Sequence, residues 1–124
     1  MVNVPDDLKY AKTHEWVRIE SGTATIGISD FAQQQLTDIV YVDMPKPGKK
    51  VKSGETLLSI ESVKSAEDAF SPVSGIVEGI NDALEQNPEL INSDPYGSWI
   101  VRIKLDGEPK GLMDANEYRK FIGE

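Results

Sequence analysis

The chain of 124 residues contains no cysteine and only one histidine, His14. The lack of cysteine excludes disulfides, thiolate metal ligands and a cysteine nucleophile, so the sulfur for any thiol redox chemistry would have to be acquired. A single imidazole without a supporting motif gives no basis for a histidine zinc site or a Ser-His-Asp relay. We therefore predict no metal site and no catalytic residue.

Surplus positive charge and long apolar runs are also absent. The 21 acidic residues outnumber the 13 basic ones, which gives a net charge of −8 and no surplus of Lys and Arg to neutralise nucleic-acid phosphates. No stretch approaches the roughly 20 apolar residues of a spanning helix, and residues 1–7 resemble neither a signal peptide nor an Arg-rich leader. We expect no nucleic-acid partner, no membrane association, and a cytoplasmic protein of bacterial type without a leader peptide, or a mature form already trimmed.

What the sequence does contain is a series of short β-forming runs separated by turn signals. They lie at residues 16–20, 23–28, 39–42, 56–61, 66–70, 76–80 and 99–105. The run at 76–80 is expected to resume the strand before it, and the run at 99–105 to close the sheet. Several short strands with turn signals between them are typical of a small barrel or sandwich, and the length fits one domain over 1–124.

Two helices are predicted at the margins of this sheet structure. Ser29 and Asp30 supply N-cap oxygens, and Gln33 follows Asp30 at the distance of a capping box. Asp114 and Glu117 have the same spacing before a C-terminal apolar stripe. Residues 87–97 are rich in Asn and Pro and are predicted to be surface loops.

Lys64 falls near the tip of the hairpin between the runs at 56–61 and 66–70. A lysine in this position presents its amine beyond the body of the fold, where a modifying enzyme can reach it. An unperturbed lysine is protonated at neutral pH and is a poor nucleophile. For the acids around it, Glu61, Glu67 and Asp68, a general-acid role competes with a solvated hairpin rim, and the residues alone favour the rim. From the residues alone, a modified lysine and an ordinary surface lysine both stay open.

The motif Glu61-Ser62-Val63-Lys64, followed by Ser-Pro-Val-Ser-Gly at 71–75, resembles the lipoylation site of glycine cleavage H proteins. Other segments match at the spacing of that family: residues 9–10, 13–17, 24–29, 38–42, 45–48, 90–92 and 95–97. The resemblance implies a mainly β barrel-sandwich hybrid, the lipoyl/biotinyl-domain fold, with short flanking helices and a C-terminal helix. It also implies lipoic acid bound to Lys64 through an amide.

The same resemblance implies a carrier for glycine catabolism rather than an enzyme. A pyridoxal-phosphate glycine decarboxylase (P protein) would load the aminomethyl group of glycine. A tetrahydrofolate-dependent aminomethyltransferase (T protein) would remove it, and dihydrolipoyl dehydrogenase (L protein) would reoxidise the arm. A lipoyl-attaching enzyme is a fourth partner. The resemblance further implies that the loaded arm folds into a cleft at Thr13, Glu15 and Asp68. Two carboxylates that face an ammonium there would favour the protonated amine.

Neighbouring families offer alternatives that differ at identifiable positions. Biotin acceptors commonly place the lysine between two methionines, whereas Val63 and Ser65 flank it here. Lipoyl domains of the 2-oxo acid dehydrogenase complexes usually have Asp before the lysine. This chain departs from H proteins in a loop, Gly97-Ser98-Trp99, that is one residue shorter, and in Thr37, which stands where glycine is common. An H-like lipoyl-relay protein, a lipoyl domain of another complex, and an unmodified binding module therefore stay open.

Overall fold

The computed structural model describes residues 2–124 and contains, within that range, nine strands and four short helices. The strands are β1 (Lys9–Tyr10), β2 (Glu15–Glu20), β3 (Thr23–Ile28), β4 (Ile39–Asp43), β5 (Lys50–Val51), β6 (Thr56–Ser62), β7 (Ala66–Phe70), β8 (Gly75–Ile80) and β9 (Val101–Leu105). The helices are α1 (Asp30–Leu36), α2 (Ala83–Gln86), α3 (Leu90–Ser93) and α4 (Ala115–Phe121).

The strands form two antiparallel sheets. One has six strands in the order β1-β2-β3-β9-β8-β5, and the other has three in the order β4-β6-β7. Side chains from both sheets meet in one buried apolar cluster, which includes Val17, Ile26, Ile60, Val77 and Ile103. This arrangement confirms the predicted mainly β sandwich with helices at its margins.

Two predicted strand connections are wrong. The run at 76–80 does not resume β7, because β8 lies in the six-stranded sheet between β5 and β9 while β7 lies in the other sheet. Pro72 interrupts the ladder after β7, and the crossing is held by hydrogen bonds between Ser71 N and Glu55 O (2.7 Å) and between Gly54 N and Ser71 O (2.8 Å). The last strand, β9, does not close the sheet, since it pairs with β3 on one side and β8 on the other.

The predicted helix starts are partly confirmed. Asp114 and Glu117 form the expected capping box at α4. At α1 the N-cap is Ser29, whose hydroxyl accepts from Ala32 N, and Gln33 instead donates from its side chain to the carboxylate of Asp30 at 2.7 Å. The capping box predicted there is therefore wrong.

The stretch predicted as surface loops also differs from expectation. It contains the helical turn α3, and the preceding residues form α2. The apolar residues Leu84 of α2 and Ile91 of α3 are fully buried in the main core, which explains why these turns are ordered against the sheets. Among residues 2–124 no helix has the length and apolar character needed to cross a membrane.

Candidate functional site

Lys64 lies at the exposed tip of the β6–β7 hairpin, as the sequence predicts. Ser62 shapes the turn: its hydroxyl accepts from the backbone amides of Lys64 (3.2 Å) and Ser65 (3.1 Å), while Ser62 N donates to Ser65 O (2.8 Å). Val63 is 69% exposed, although its side chain is apolar. Glu61, just before the turn, is exposed as well.

The end of α1 supports this hairpin from the side. The ammonium of Lys64 donates to the carbonyl oxygen of Gln35 at 3.2 Å, and Val63 N donates to Asp38 O at 2.9 Å. Both acceptors are backbone atoms, so the lysine is steered toward α1 without being neutralised by a carboxylate. The amine therefore stays reachable from outside.

Asn92 of α3 holds the supporting segment in place, a role that the sequence did not reveal. Its amide nitrogen donates to Thr37 O (2.8 Å) and to the side chain of Gln33 (3.0 Å), and its oxygen accepts from Ile39 N (2.9 Å). Its amide thus joins α3 to α1, to Thr37 after it and to the first residue of β4. The only sequence signal was its place in a segment that matches the H-protein pattern.

A cleft of about 440 Å³, here named the Lys64 cleft, lies between the hairpin, α1 and the start of β2. It is lined by Thr13, His14, Glu15, Ile28, Phe31, Ala32, Gln35, Leu36, Ile60, Lys64, Ser65, Glu67, Asp68 and Ala69. Aliphatic and aromatic side chains make up one part of this lining, and acids make up another. The structure therefore brings Thr13, Glu15 and Asp68, the residues predicted to receive the arm, to one cavity beside Lys64.

Glu15 is the most unusual of these residues because its side chain is buried, at 2% exposure, without a cationic partner. The Thr13 hydroxyl donates to one carboxylate oxygen, and the amide of Phe70 donates to the other at 3.2 Å. Burial raises the pKa of Glu15, and these hydrogen bonds oppose the rise. The one ion pair among residues 2–124 joins Arg119 to Asp6, so no basic side chain in that range neutralises Glu15. A buried carboxylate of this kind suits a cation that arrives from outside.

Asp68 and Glu67 occupy different faces of β7. In the β6–β7 ladder Asp68 lies opposite Ser59, whereas Glu67 lies opposite the buried Ile60. Since directly opposed residues share a face, the Glu67 side chain belongs to the inner face that continues into the cleft. Glu67 was expected only as part of a solvated rim. Residues two apart in a strand point to the same face, so the buried Ala69 was the signal that could have indicated that Glu67 points inward. The predicted role of Asp68 stays a prediction.

Two facing antiparallel sheets thus place Lys64 at an exposed hairpin tip beside a cleft. The family described as glycine cleavage H-protein matches residues 8–124. A "probable glycine cleavage system H protein" of Picrophilus torridus is 59% identical over 124 residues, 100% of both chains. The glycine cleavage system H protein of Marinobacter nauticus is 52% identical over 98% of this chain and 97% of its own.

Similarity extends to a solved structure. The crystal structure of a glycine cleavage system H protein from Mycobacterium marinum superposes with a TM-score of 0.93 at 32% identity, covering 98% of this chain and 100% of that one. The chain belongs to the glycine cleavage H-protein family. It is thus a lipoyl-carrier component of the glycine cleavage system and not an enzyme by itself, and the predicted barrel-sandwich hybrid fold is confirmed.

Proposed function

We propose that Lys64 is the residue that carries lipoic acid, in amide linkage, and that the chain passes the aminomethyl group of glycine between enzymes. Its partners are a pyridoxal-phosphate glycine decarboxylase, a tetrahydrofolate-dependent aminomethyltransferase, dihydrolipoyl dehydrogenase and the enzyme that attaches the lipoyl group. When bound, lipoic acid supplies a disulfide that is reduced as the aminomethyl group is loaded. The cysteine-free chain has no sulfur of this kind to offer.

The observation that carries this proposal is the placement of Lys64. Its amine is exposed at a hairpin tip and has a single described hydrogen bond, to a backbone carbonyl. An attaching enzyme needs an accessible amine on a geometrically defined turn, and Ser62 provides the definition. A flexible four-carbon stem at that tip lets the carried group sample several partner sites at high local concentration.

The Lys64 cleft fits the group in size and character. Ile28, Leu36, Ile60 and Ala69 line it with apolar surface that an aliphatic chain can contact, and Phe31 adds an aromatic ring. Both Lys64 and Glu15 line the cleft. An arm attached to the lysine can therefore fold back along an apolar wall toward a carboxylate.

Glu15 and Thr13 give the cleft its preference for a cation. The buried carboxylate of Glu15 would pair with the ammonium of a carried aminomethyl group, and the Thr13 hydroxyl keeps the carboxylate oriented. Pairing favours the protonated amine, whose lone pair is then unavailable to expel the sulfur. Asp68, at the cleft margin, would add negative charge. These residues thus slow early loss of the carried group.

Intact mass spectrometry of the chain expressed with lipoic acid tests the attachment. We expect the mass gain of one lipoyl group, its location at Lys64 by peptide mapping, and its loss in Lys64→Arg. Lys52→Arg is the matched control, because Lys52 is an exposed lysine in the turn at the opposite end of β6. No gain in cells whose other lipoyl proteins are modified would overturn the proposal.

A second assay separates the aminomethyl shuttle from a lipoyl relay or a lipoyl domain of another complex. The short loop at 97–99 and Thr37 are the features that keep this alternative in view. With purified glycine decarboxylase, the modified chain should support exchange of carbon dioxide into glycine, and Lys64→Arg should not. Modification without exchange would favour the relay. A cytoplasmic location belongs to the same proposal, and fractionation of the native source tests it.

A further inference from the structure

A chain of three hydrogen-bonding side chains connects the C-terminal helix to the Lys64 cleft. The hydroxyl of Tyr118, on α4, lies 2.8 Å from Nδ1 of His14 and 2.7 Å from the hydroxyl oxygen of Ser29. Tyr118 and Ser29 are fully buried, and His14 is half-buried and lines the cleft. None of these contacts contributes to attachment at Lys64, so their arrangement calls for a separate explanation.

The direction of the hydrogen bonds follows from what each buried group can accept. The Ser29 hydroxyl accepts from the amide of Ala32 at 3.2 Å as the N-cap of α1, and its only other described partner is Tyr118. If Tyr118 donated to Ser29, the Ser29 proton would be buried without an acceptor, which is unfavourable. Ser29 therefore donates to the oxygen of Tyr118, and Tyr118 donates to Nδ1 of His14.

This direction determines the state of the imidazole. Because Nδ1 of His14 accepts a hydrogen bond, the neutral ring carries its proton on Nε2. Burial raises the pKa of Tyr118 to about 12, so its phenol stays protonated and remains a donor. Burial also lowers the pKa of His14, which agrees with a neutral ring. Among residues 2–124, every buried side-chain nitrogen or oxygen has a hydrogen-bond partner. Nε2 of His14 has no described partner, so this atom is not buried.

The backbone and its aromatic neighbours hold the ring where it is. His14 has φ of 78°, a left-handed conformation that is uncommon for a residue with a side chain. Phe31 of α1 packs against the ring at a centroid distance of 4.8 Å, and Phe121 of α4 packs at 5.9 Å. The ring therefore has little freedom to turn its other nitrogen toward Tyr118.

We propose that Tyr118 is a positioning residue: its hydroxyl, oriented by Ser29, locks His14 as a neutral imidazole that presents an Nε2–H donor at the Lys64 cleft. The consequence for the carried group rests on the proposed function. A neutral ring next to Glu15 leaves the attraction between its carboxylate and an ammonium intact, whereas a cationic ring would oppose it. The Nε2–H can also donate to an acceptor atom of the arm.

The charged and titratable groups around His14 come from each element that packs against it or lines the same cleft. They are Glu15 of β2, Tyr118 of α4, Lys64 of the hairpin, and Glu67 and Asp68 of β7. Three of these, Glu15, Glu67 and Asp68, can carry negative charge, which would favour a protonated imidazole. The donor from Tyr118 is the feature that favours the neutral ring against them.

Nitrogen NMR of the unmodified, ¹⁵N-labelled chain tests the proposal without any lipoyl group. The chain has a single histidine, so the imidazole signals need no assignment to a particular residue. We expect the Nε2–H tautomer at neutral pH, and in Tyr118→Phe a loss of that preference with a higher pKa for His14. An Nδ1–H tautomer in the native chain, or an unchanged tautomer and pKa in Tyr118→Phe, would overturn it.

Tyr10→Phe is the matched control. The Tyr10 ring stacks on that of Tyr118 at a centroid distance of 4.5 Å, but its hydroxyl donates to Pro5 O at 2.6 Å and not to His14. This variant removes a buried hydroxyl from the same stack and should leave the tautomer unchanged. An equal change in both variants would mean that packing, and not the Tyr118 hydrogen bond, sets the state of His14.

The functional half is measured on the lipoylated, aminomethyl-loaded chain. Spontaneous loss of the loaded group should be roughly 2- to 10-fold faster in Tyr118→Phe than in Tyr10→Phe, the factor that one hydrogen bond accounts for. Equal rates would overturn the link between His14 and the carried group. Failure of Lys64 to be lipoylated would instead refute the proposed function and leave the NMR result standing.

Discussion

Replacing Thr37 by glycine should stabilise this protein, although it removes a side chain and a hydrogen bond. Thr37 ends α1 with φ of 63° and ψ of −147°, a region that is essentially reserved for glycine. A β-branched side chain makes such a conformation more costly still. The surrounding contacts hold it there, since Thr37 N donates to Gln33 O at 3.0 Å and Thr37 O accepts from Asn92 at 2.8 Å.

The expected gain follows from three contributions. Relief of a conformation of this kind contributes on the order of 1–3 kcal/mol. The greater freedom of glycine in the unfolded chain costs about 0.5–1 kcal/mol, and loss of the hydroxyl that donates to Leu36 O costs about 0.5 kcal/mol. We expect a net gain of about 1 kcal/mol in the free energy of unfolding, or about 3–5 °C in Tm for a chain of this size.

Thermal and urea unfolding, followed by circular dichroism, measure this change. Thr37→Ala is the control, because it removes the hydroxyl and methyl groups but keeps the Cβ that clashes at this φ, so it should be neutral or slightly destabilising. If Thr37→Ala gained as much stability as Thr37→Gly, the backbone explanation would be refuted.

A single cooperative unfolding transition is also expected, since both sheets share one core. Two resolved transitions would contradict the single-domain prediction for 1–124.

Two further substitutions test the buried part of the structure. Because the folded-state pKa of Glu15 is raised, its contribution to stability is fully present below about pH 4.3, its unfolded value, and is lost as pH rises through the folded value. Glu15→Gln should thus unfold at higher urea than the native chain at pH 7, with the difference shrinking toward pH 4, and a pH-independent difference would contradict this. Gly27→Ala should cost about 3 kcal/mol, because a Cβ would lie 2.6 Å from the indole of Trp16. Gly79→Ala, in an open strand position, should be close to neutral, and equal losses in the two alanine variants would rule out the indole contact.

The sequence by itself determined most of the strands, the helices α1 and α4, and the position of Lys64. Turn chemistry placed the hairpin at Ser21 and Gly22, which have φ of 48° and 80°, and the hairpin that carries Lys64. The Asp114–Glu117 spacing predicted the capping box of α4. These features depend on residues a few positions apart, so a pattern in the chain is enough to indicate them. The H-protein resemblance likewise rested on motifs spread along the whole chain.

The tertiary structure decided which strands share a sheet and what surrounds the cleft. Residues 76–80 read as a continuation of β7, but apolar alternation is the same for a strand in either sheet, so only packing assigned β8 to the larger one. The Glu15 carboxylate accepts a hydrogen bond from Phe70, which is 55 residues away, and the state of His14 depends on Tyr118, which is 104 residues away. Contacts over such separations form only when the sheets and α4 pack together, because no local pattern encodes which buried donor a given side chain will meet.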